Sequence, residues 1–581
     1  MPKDKEGQKY LLIDLNTQKW ESLPLPNELG GQALAYHLVA LYQAEGNPLC
    51  FALGSLAGSA VPCTNTLSIV GKSRESATYE GETTCNRFSA YLASNLWRAI
   101  VLIGEGRRMM TLRIAPTGVT FEANERILGQ SVRQITADLR GASDCGVIAI
   151  GPAGENGVIF ASIFEQDLPL ERWGFGCSLG EKNVKAIAVE RGNAHFSPHD
   201  GQKLDTLITK FNRVLDKSEY LANFREAGDL FLMEEALKKG YCGIHNVSLR
   251  TDPRLFHLTS GEIIRRFSPV ADGCEHCPAL CRHRIGTMRL PNLLEMMALG
   301  PNLGNWDPSQ LFEWFEECLA LGLNPISTGA IIGWIMAARG ERFLNTPVKV
   351  KFGHPGGVKE LIHLIGATLN AGEEIKKGIV YLEENYLKKS QRPKIASQIN
   401  GRVMLPIDPR GAWMEALFMA LGIDNLNVGE IIQHYLSPKG TFSKAEWTVV
   451  EENLLATFNS LGICNQLLSP LVFEKSRLPF KQLFLRSPRL AYKWLSTKLL
   501  RSLASEVLGK KISTTELINI GRKALYKKRE LNGEDRELSI PERFTINPES
   551  NHPHKSVVPF RAMAERYKFL RTLDYVKYRR G

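Results

Sequence analysis

Residues 274–281 read Cys274-Glu-His-Cys277-Pro-Ala-Leu-Cys281, and a further cysteine follows far downstream in Asn459-Ser-Leu-Gly-Ile-Cys464. The close trio can place three thiolates around one small volume, and the remote fourth can close the site. A structural zinc ion is one candidate, although it usually takes its ligands as two close pairs. Reduced cysteines that cluster near a turn are the alternative without a metal. Four soft sulfur ligands in this spacing favour a [4Fe–4S] cluster.

The segments on either side of the trio predict an α+β chain whose β-rich part comes first. Short β-branched runs predict strands at 11–15, 66–70, 99–103, 147–150, 158–162 and 184–189. From about residue 200, apolar residues spaced by three and four predict helices at 204–215, 230–237, 293–299, 310–321 and 331–338. The trio itself is predicted to lie in a loop, which opens at Gly273 and bends at Pro278.

The chain of 581 residues is too long for one hydrophobic core, and two linker-like stretches suggest where it divides. Gly, Pro and polar residues cluster near 191–200, and a charged stretch with a proline covers 388–394. We therefore predict a β-rich domain over 1–192 and two mainly helical domains over 193–395 and 396–581. The cluster would join the two helical domains, since Cys464 lies in the last one.

Composition favours a globular protein of the cytoplasm. Apolar residues make up 44% and charged residues 23% of the chain. The cysteines number 11, an odd count that argues for a reducing compartment. The first residues have no apolar run typical of a signal peptide, and the longest uncharged apolar stretch, 326–338, is too short to span a bilayer. We expect a cytoplasmic protein without membrane insertion.

The positive charge is concentrated in one segment. Residues 475–529 hold 15 Lys or Arg against two acids, a balance of +13, so the remainder carries −2 of the net +11. A solvated basic helix face is one interpretation, and docking of an acidic partner such as a small electron carrier is another. We find no nucleic-acid recognition module in the sequence, and we predict no nucleic-acid partner.

Several short sequence motifs resemble motifs of the aldehyde ferredoxin oxidoreductase family, and they occur in the same order along the chain. The N-terminal phrases begin at Gly30, Gly151 and Glu171, as in Gly151-Pro-Ala-Gly-Glu-Asn and Glu171-Arg-Trp-Gly-Phe-Gly-Cys-Ser-Leu-Gly-Glu-Lys-Asn-Val-Lys-Ala-Ile. The cysteine trio, Asp408-Pro-Arg-Gly and Gly462-Ile-Cys464 follow. The resemblance implies a β-rich base domain below two helical domains, a tungsten- or molybdenum-bis-pterin between them and one [4Fe–4S] cluster close by. It also implies an activity that interconverts an aldehyde and a carboxylic acid.

The same resemblance assigns further site residues. It implies pterin contacts at Arg172, Gly174, Asn324, Asn459 and Ile463. Glu295 matches a family acid near the metal and would act as a general acid or base. The alternatives are a surface salt bridge for Arg172 and a helix-surface position for Glu295.

Departures from the family pattern fall on the pterin side. Leu319, Asn324 and Asn459 stand where the family has acids that accept pterin hydrogen bonds, and Trp173 adds bulk to a glycine-rich turn. The family's Ser-Asn-x-Gly-Gly is replaced by 81–86, and Thr66 stands in place of an arginine. The cluster cysteines keep their pattern.

Three hypotheses follow. The first is an oxidoreductase that passes electrons through the cluster to ferredoxin, another iron–sulfur carrier or a partner subunit, working as a homodimer or hetero-oligomer. The second is a non-catalytic electron-transfer or scaffold paralogue that keeps the cluster and has lost the metallopterin. The third is a basic binding protein that uses residues 475–529 and has a structural cluster only.

Overall fold

The structure is a computed structural model, and it describes residues 8–26, 30–95, 97–194, 200–274, 277–342, 344–423, 441–474, 495–533, 537–545 and 557–580. The segment 475–494, which carries part of the predicted basic region, lies outside the described residues. The chain has an α+β fold, as predicted: strands concentrate before residue 191 and helices after residue 200.

The first six-stranded sheet has the order β2-β1-β6-β3-β4-β5. All its neighbouring strands are antiparallel except β1 and β6, which pair in parallel. Its strands are β1 Lys9–Asp14, β2 Lys19–Pro24, β3 Leu49–Leu53, β4 Thr66–Lys72, β5 Tyr79–Cys85 and β6 Trp97–Ile103. Helix α1 (Gly31–Leu41) packs on it, and α2 (Phe88–Ala93) follows β5.

The second six-stranded sheet has the order β11-β10-β9-β12-β7-β8, with β7 and β12 parallel. Its strands are β7 Met110–Ala115, β8 Gly118–Ala123, β9 Cys145–Ala149, β10 Phe164–Glu165, β11 Leu168–Pro169 and β12 Val184–Glu190. Its connections contain α3 Val132–Ala142, α4 Pro152–Glu155 and α5 Phe175–Glu181.

The two sheets share one hydrophobic core. Alternate residues of the first sheet, such as Phe51 and Ile100, pack with Ile148 and Ile187 of the second. The residues between them along each strand point the other way, because side chains alternate across a strand. On the first sheet those residues pack under α1, and on the second they join the core of the helical part. The stacked sheets therefore form a base with helices on its outer faces.

The first helix of the helical part shows a capping side chain at its N-terminus and a stripe of buried apolar residues along one face. Helix α6 (Gly201–Asp216) starts at Asp200, whose side chain accepts a hydrogen bond from the Lys203 backbone N–H. Its buried residues recur at spacings of three and four. The next helices are α7 Glu219–Ala227, α8 Leu232–Lys239, α9 Ser260–Phe267, α10 Leu293–Leu299, α11 Pro308–Leu321 and α12 Pro325–Ala338. They cover the predicted helices at 204–215, 230–237, 293–299, 310–321 and 331–338.

The remaining elements complete the helical part. The helices are α13 Val358–Ala367, α14 Gly372–Ile375, α15 Gly378–Tyr386, α16 Arg392–Ile395, α17 Trp413–Leu421, α18 Thr441–Leu461, α19 Lys498–Leu508, α20 Thr514–Asn532 and α21 Phe560–Arg580. Small sheets are formed by β13 Val270–Ala271, β14 His283–Ile285 and β15 Met288–Arg289, and by β16 Gln398–Ile399 and β17 Arg402–Val403. Within the described residues no helix is long and apolar enough to cross a membrane.

One predicted strand is wrong. Residues 158–162 form a turn with a single bridge between Ala161 and Leu323. Two of their backbone N–H groups bond to the helical part, Ile159 to the Lys376 carbonyl and Ser162 to the Gly322 carbonyl. Their apolar side chains fill the core below the helices, so burial rather than strand pairing explains the apolar run. The domain limits at 192 and 395 stay predictions, because apolar cores run across both.

Candidate metal centre

The cysteine trio lies in the loop between β13 and β14, as predicted. The loop is closed at its ends by a hydrogen bond from the Asp272 N–H to the Arg282 carbonyl, of 2.7 Å. Within it the Cys277 N–H donates to the Cys274 carbonyl at 3.0 Å. Arg225 of α7 donates from Nε to the Pro278 carbonyl at 3.0 Å. These bonds hold three thiols on one side of a short loop.

Cys464 reaches the same place from the end of α18. Gly462 ends that helix with φ at 86°, and a Cβ there would lie 2.7 Å from the Gly54 Cα, so only glycine fits. The N–H of Cys464 then donates to the Cys63 carbonyl at 3.0 Å. The approach of α18 to the loop before β4 therefore places the fourth predicted ligand.

The four predicted thiols line one cavity, and two further thiols line it with them. The cavity has a volume of about 560 Å³, within the range of sites that hold cofactors. We call its cysteines, Cys63, Cys85, Cys274, Cys277, Cys281 and Cys464, the thiol wall. All six are half-buried, whereas the other five cysteines are buried elsewhere. Cys63 and Cys85 were not predicted as site residues, because each is isolated in the sequence.

The two extra thiols pair with predicted ligands. The Cys63 and Cys277 sulfurs lie 3.2 Å apart. A hydrogen bond with Cys277 and burial raise the pKa of Cys63, and the same bond lowers the pKa of Cys277. Cys85 likewise bonds to Cys274, which lowers the pKa of Cys274 to about 6, while bonds to Cys274 and Cys464 raise the pKa of Cys85. A lowered pKa favours the thiolate, which is the form that binds metal.

An arginine side chain lies next to the thiol wall. Arg282 lines the cavity, and its Nη2 donates to the Cys85 carbonyl at 2.6 Å. Burial acts against its charge, but the Cys274 and Cys281 sulfurs raise the pKa of Arg282 above its usual range. The guanidinium thus stabilises negative charge on neighbouring thiolates.

The donor set of the cavity is rich in soft sulfur, which suits an iron–sulfur cluster. In the described part of the chain, no group of three His, Cys, Asp or Glu side chains is placed to hold a single metal ion. Thr66 and Asn465 also line the cavity, and Oγ1 of the first and Oδ1 of the second have no hydrogen-bond partner among the described residues. The donor set therefore fits a [4Fe–4S] cluster with polar neighbours.

Charged side chains also line the cavity, and several of them form ion pairs. We call the residues Glu80, Glu82, Glu452, Lys528 and Arg571 the charged wall. Lys528 pairs with Glu80, Arg571 pairs with Glu452, and the Trp173 Nε1 donates to Glu82 at 3.2 Å. Burial raises the pKa of Glu82 to about 6, although the nearby Arg172 acts in the opposite direction.

The predicted pterin contacts divide into two groups. Asn459 and Ile463 line the cavity, and Asn459 Oδ1 has no hydrogen-bond partner within the described residues. Arg172, Gly174 and Asn324 do not line it. The Asn324 side chain caps α12, since its Oδ1 accepts from the backbone N–H groups of residues 326 and 327, each at 3.1 Å.

Arg172 and Gly174 belong to the turn before α5. Arg172 is buried near Glu75 and Glu82, with its guanidinium carbon 5.2 Å from the Trp173 ring centre. Gly174 has φ at 76°, and a Cβ there would lie 2.0 Å from the Ile159 carbonyl oxygen. Trp173 itself is 1% exposed and packs between the sheets. The turn therefore requires a glycine at position 174, and Gly174 does not line the cavity of the thiol wall.

Glu295, the predicted acid, lies in a buried ion pair next to the cavity. Its oxygens accept from Arg289 Nη1 and Nη2 at 2.9 and 2.8 Å, and from the Asn292 N–H at 2.8 Å. Arg289 lines the cavity, and Glu295 lies behind it at 1% exposure. This geometry makes Glu295 a residue that positions Arg289 and caps α10.

The structure thus combines two stacked sheets, a helical part and one cavity lined by six thiols. The chain belongs to the aldehyde ferredoxin oxidoreductase family. A model of the family's N-terminal domain matches residues 10–191, and a model of its domains 2 and 3 matches residues 206–575. The predicted resemblance is confirmed, and the protein is an oxidoreductase of this family.

Two relatives are similar in sequence over nearly the whole chain, and a third over about two thirds of it. The tungsten-containing aldehyde ferredoxin oxidoreductase of Pyrococcus furiosus is 24% identical over 96% of this chain and 94% of its own length. The corresponding Thermococcus kodakarensis protein is 23% identical over 97% and 95%. The WOR-like subunit of the aliphatic sulfonate oxidoreductase of Pyrococcus furiosus is 23% identical over 64% of this chain and 66% of its own length.

A solved structure shares the fold. The active site complex BamBC of benzoyl coenzyme A reductase, in complex with 1,5-dienoyl-CoA, superposes with a TM-score of 0.71. The alignment covers 98% of this chain and 96% of that chain at 17% identity, which establishes the fold alone.

Proposed function

We propose that the protein interconverts an aldehyde, or a related carbonyl, and a carboxylic acid. Oxidation of an aldehyde consumes one water and releases two electrons and two protons. The electrons would leave through a [4Fe–4S] cluster held by Cys274, Cys277, Cys281 and Cys464. The observation that carries this proposal is the convergence of these four thiols, from two distant parts of the sequence, on one cavity.

The cavity also suits a metallopterin. Its volume is about 560 Å³, and Asn459 Oδ1 is a buried acceptor on its lining without a partner among the described residues. We assign Asn459 and Ile463 as pterin contacts, whereas Arg172, Gly174 and Asn324 stand outside the cavity and would act only through the structure around it. When bound, a tungsten- or molybdenum-pterin supplies two-electron oxygen transfer, and the cluster passes electrons on singly.

The chain's own carboxyl groups can take up the protons. Glu82 lines the cavity, and burial raises its pKa to about 6. Asp229 lines it as well, and burial raises the pKa of Asp229 to about 7. Carboxyl groups that titrate near neutral pH suit general acid–base work. We assign proton transfer to these residues, and we give Glu295 a positioning role through Arg289.

The electron acceptor is proposed to be ferredoxin or an iron–sulfur partner subunit. Relatives are named ferredoxin oxidoreductases, and one is named as a subunit of a larger oxidoreductase. The described part of the basic region contains α20, where Lys523 and Lys527 add positive charge. Such a surface speeds the encounter with an acidic carrier.

Metal analysis of protein purified without oxygen tests this function. We expect iron, sulfide, pterin and about one tungsten or molybdenum per chain, and reduction of a viologen dye that depends on added aldehyde. A protein with iron and sulfide but neither pterin nor tungsten or molybdenum would instead be the electron-transfer paralogue. A protein without iron would refute both.

A further inference from the structure

Two thiols of the thiol wall are left over once a [4Fe–4S] cluster has its four cysteines. They are Cys63 and Cys85, which line the cavity together with the four predicted ligands. The remaining cysteines of the chain are buried small side chains that do not line this cavity, namely Cys50, Cys145, Cys177, Cys242 and Cys318. Cys63 and Cys85 therefore differ from the packing cysteines and share the space of the ligand thiols.

The two extra thiols form hydrogen bonds with the predicted ligands. The Cys63 sulfur lies 3.2 Å from the Cys277 sulfur, and Cys85 bonds in the same way to Cys274 and Cys464. A cysteine that binds iron is a thiolate, which has no proton to donate and accepts through its lone pairs. When the ligands hold iron, the thiols of Cys63 and Cys85 are therefore the donors of these bonds.

The backbone holds both donors beside the segments that carry the ligands. The Cys63 carbonyl accepts from the Cys464 N–H at 3.0 Å, and the Cys63 φ of +61° turns the chain at this point. Cys85 ends β5, and its carbonyl accepts from Arg282 Nη2 at 2.6 Å. Each thiol is thus fixed by its own main chain next to the ligands to which its sulfur bonds.

A hydrogen bond to a ligand sulfur affects the two oxidation states of a cluster unequally. Reduction adds one electron, and part of the added negative charge lies on the cysteine sulfurs. A donor at such a sulfur stabilises the more negative, reduced state more than the oxidised state, so the reduction potential rises. Cys63 and Cys85 are both placed for this effect.

We propose that the thiols of Cys63 and Cys85 donate hydrogen bonds to the ligand thiolates and thereby raise the reduction potential of the cluster. They act through Cys277, Cys274 and Cys464, and they bind no iron themselves. This inference rests on the [4Fe–4S] cluster of the proposed function, and it is independent of the pterin and of the substrate.

The experiment is an anaerobic redox titration of the full chain, with the reduced cluster followed by electron paramagnetic resonance. The protein is first reconstituted with ferrous iron and sulfide, and Cys63→Ala and Cys85→Ala should still hold about four irons per chain. At a fixed potential, we expect the ratio of reduced to oxidised cluster to fall about tenfold in each variant. For a one-electron couple, this change is a shift of about 59 mV to lower potential.

The direction of the shift distinguishes a hydrogen-bond donor from a side chain that only fills space. If alanine merely let water approach the cluster, the water would stabilise the added negative charge and the potential would rise. Cys63→Ser keeps a donor at the same position and should restore the potential toward that of the wild type. The matched control is Cys50→Ala, which removes a buried thiol of β3 outside the cavity and should leave the potential unchanged.

The outcomes separate this inference from the proposed function. An unchanged or higher potential in both alanine variants, or a Cys63→Ser potential as low as that of Cys63→Ala, would overturn the inference and leave the cluster in place. A wild type without a cluster would overturn both. If neither alanine variant holds a cluster, electron–nuclear double resonance of the wild type in H₂O and D₂O decides, and absence of an exchangeable proton coupled to the cluster would overturn the inference.

Discussion

The thiol wall and the charged wall face the same cavity, but they differ in how their groups are satisfied. The charged residues are paired with one another: Lys528 with Glu80, and Arg571 with both Glu452 and Asp574. The hydrogen bonds of Cys63 and Cys85 run to other thiols. A buried ion pair gains little from a new ligand, whereas grouped thiols can lose protons and bind metal. The ion pairs of Lys528 and Arg571 thus serve mainly the structure, whereas the thiol wall carries side chains suited to binding a metal.

The largest expected effect is the loss of a thiol ligand. The Cys464→Ala variant removes the fourth thiolate, and we expect the affinity for iron to fall about 100-fold or more, because even residues behind a ligand typically contribute 10–100-fold. Competition with an iron chelator under anaerobic conditions measures the change. The control Cys318→Ala removes a buried thiol remote from the cavity and should leave the affinity unchanged. Wild-type affinity in Cys464→Ala would exclude this residue as a ligand.

Breaking the charged wall should instead reduce stability. Arg571 is 5% exposed, and its loss leaves Glu452 without its cation and removes one of the two arginines that pair with Asp574, the other being Arg522. We expect Arg571→Leu to lower the free energy of unfolding by about 3–5 kcal/mol. Urea denaturation of the two proteins measures it.

The control for that variant is Arg561→Ala, which removes the exposed pair with Glu565 and should cost about 0–1 kcal/mol. Similar losses in both variants would mean that the charged wall contributes no more than a surface ion pair.

A buried carboxyl near this wall should control the pH dependence of stability. Glu451 of α18 is fully buried, and burial, with Glu415 nearby, raises the pKa of Glu451 well above its usual value. Its contribution to stability is complete below the unfolded pKa of about 4.3 and is lost as the pH rises toward the folded pKa. Glu451→Gln removes this loss.

We therefore expect the stability of Glu451→Gln relative to wild type to be higher at about pH 7 than at about pH 5, because the wild type loses stability as the pH rises above the unfolded pKa of about 4.3. Thermal or urea unfolding at the two pH values measures it. Glu565→Gln, at an exposed position, is the control and should show no such change. A constant difference between Glu451→Gln and the wild type would contradict the assignment.

The smallest expected effect concerns the pterin contact. Asn459→Ala removes an acceptor that has no partner among the described residues, so the folded chain should lose little stability. One hydrogen bond is worth about 1 kcal/mol, and we expect about fivefold weaker retention of pterin. Pterin released on denaturation measures it. Ser327→Ala, which removes an unpartnered buried hydroxyl away from the cavity, is the control; equal pterin in Asn459→Ala and wild type would remove Asn459 from the site.

Much of the fold was predictable because it depends on local pattern. Short β-branched runs predicted β1, β4, β6, β9 and β12, and apolar stripes predicted α6, α10 and α11, within a few residues. The apolar run at 158–162 was assigned wrongly, since an apolar run has the same appearance in a strand and in a buried turn. The cluster ligands stay a prediction, but cysteines that are close in sequence could be expected to share one loop, and the structure places the trio on one cavity.

By itself, the sequence determined the α+β order of the chain, the family and the four cysteines of the cluster motif, because these depend on spacing along the backbone. Only the tertiary structure brought Cys63 and Cys85 to the same cavity and moved Arg172, Gly174 and Asn324 out of it. The physical reason is that contacts between distant segments depend on how helices and sheets pack. Here the approach of α18 to the loop before β4 decides which side chains share the space.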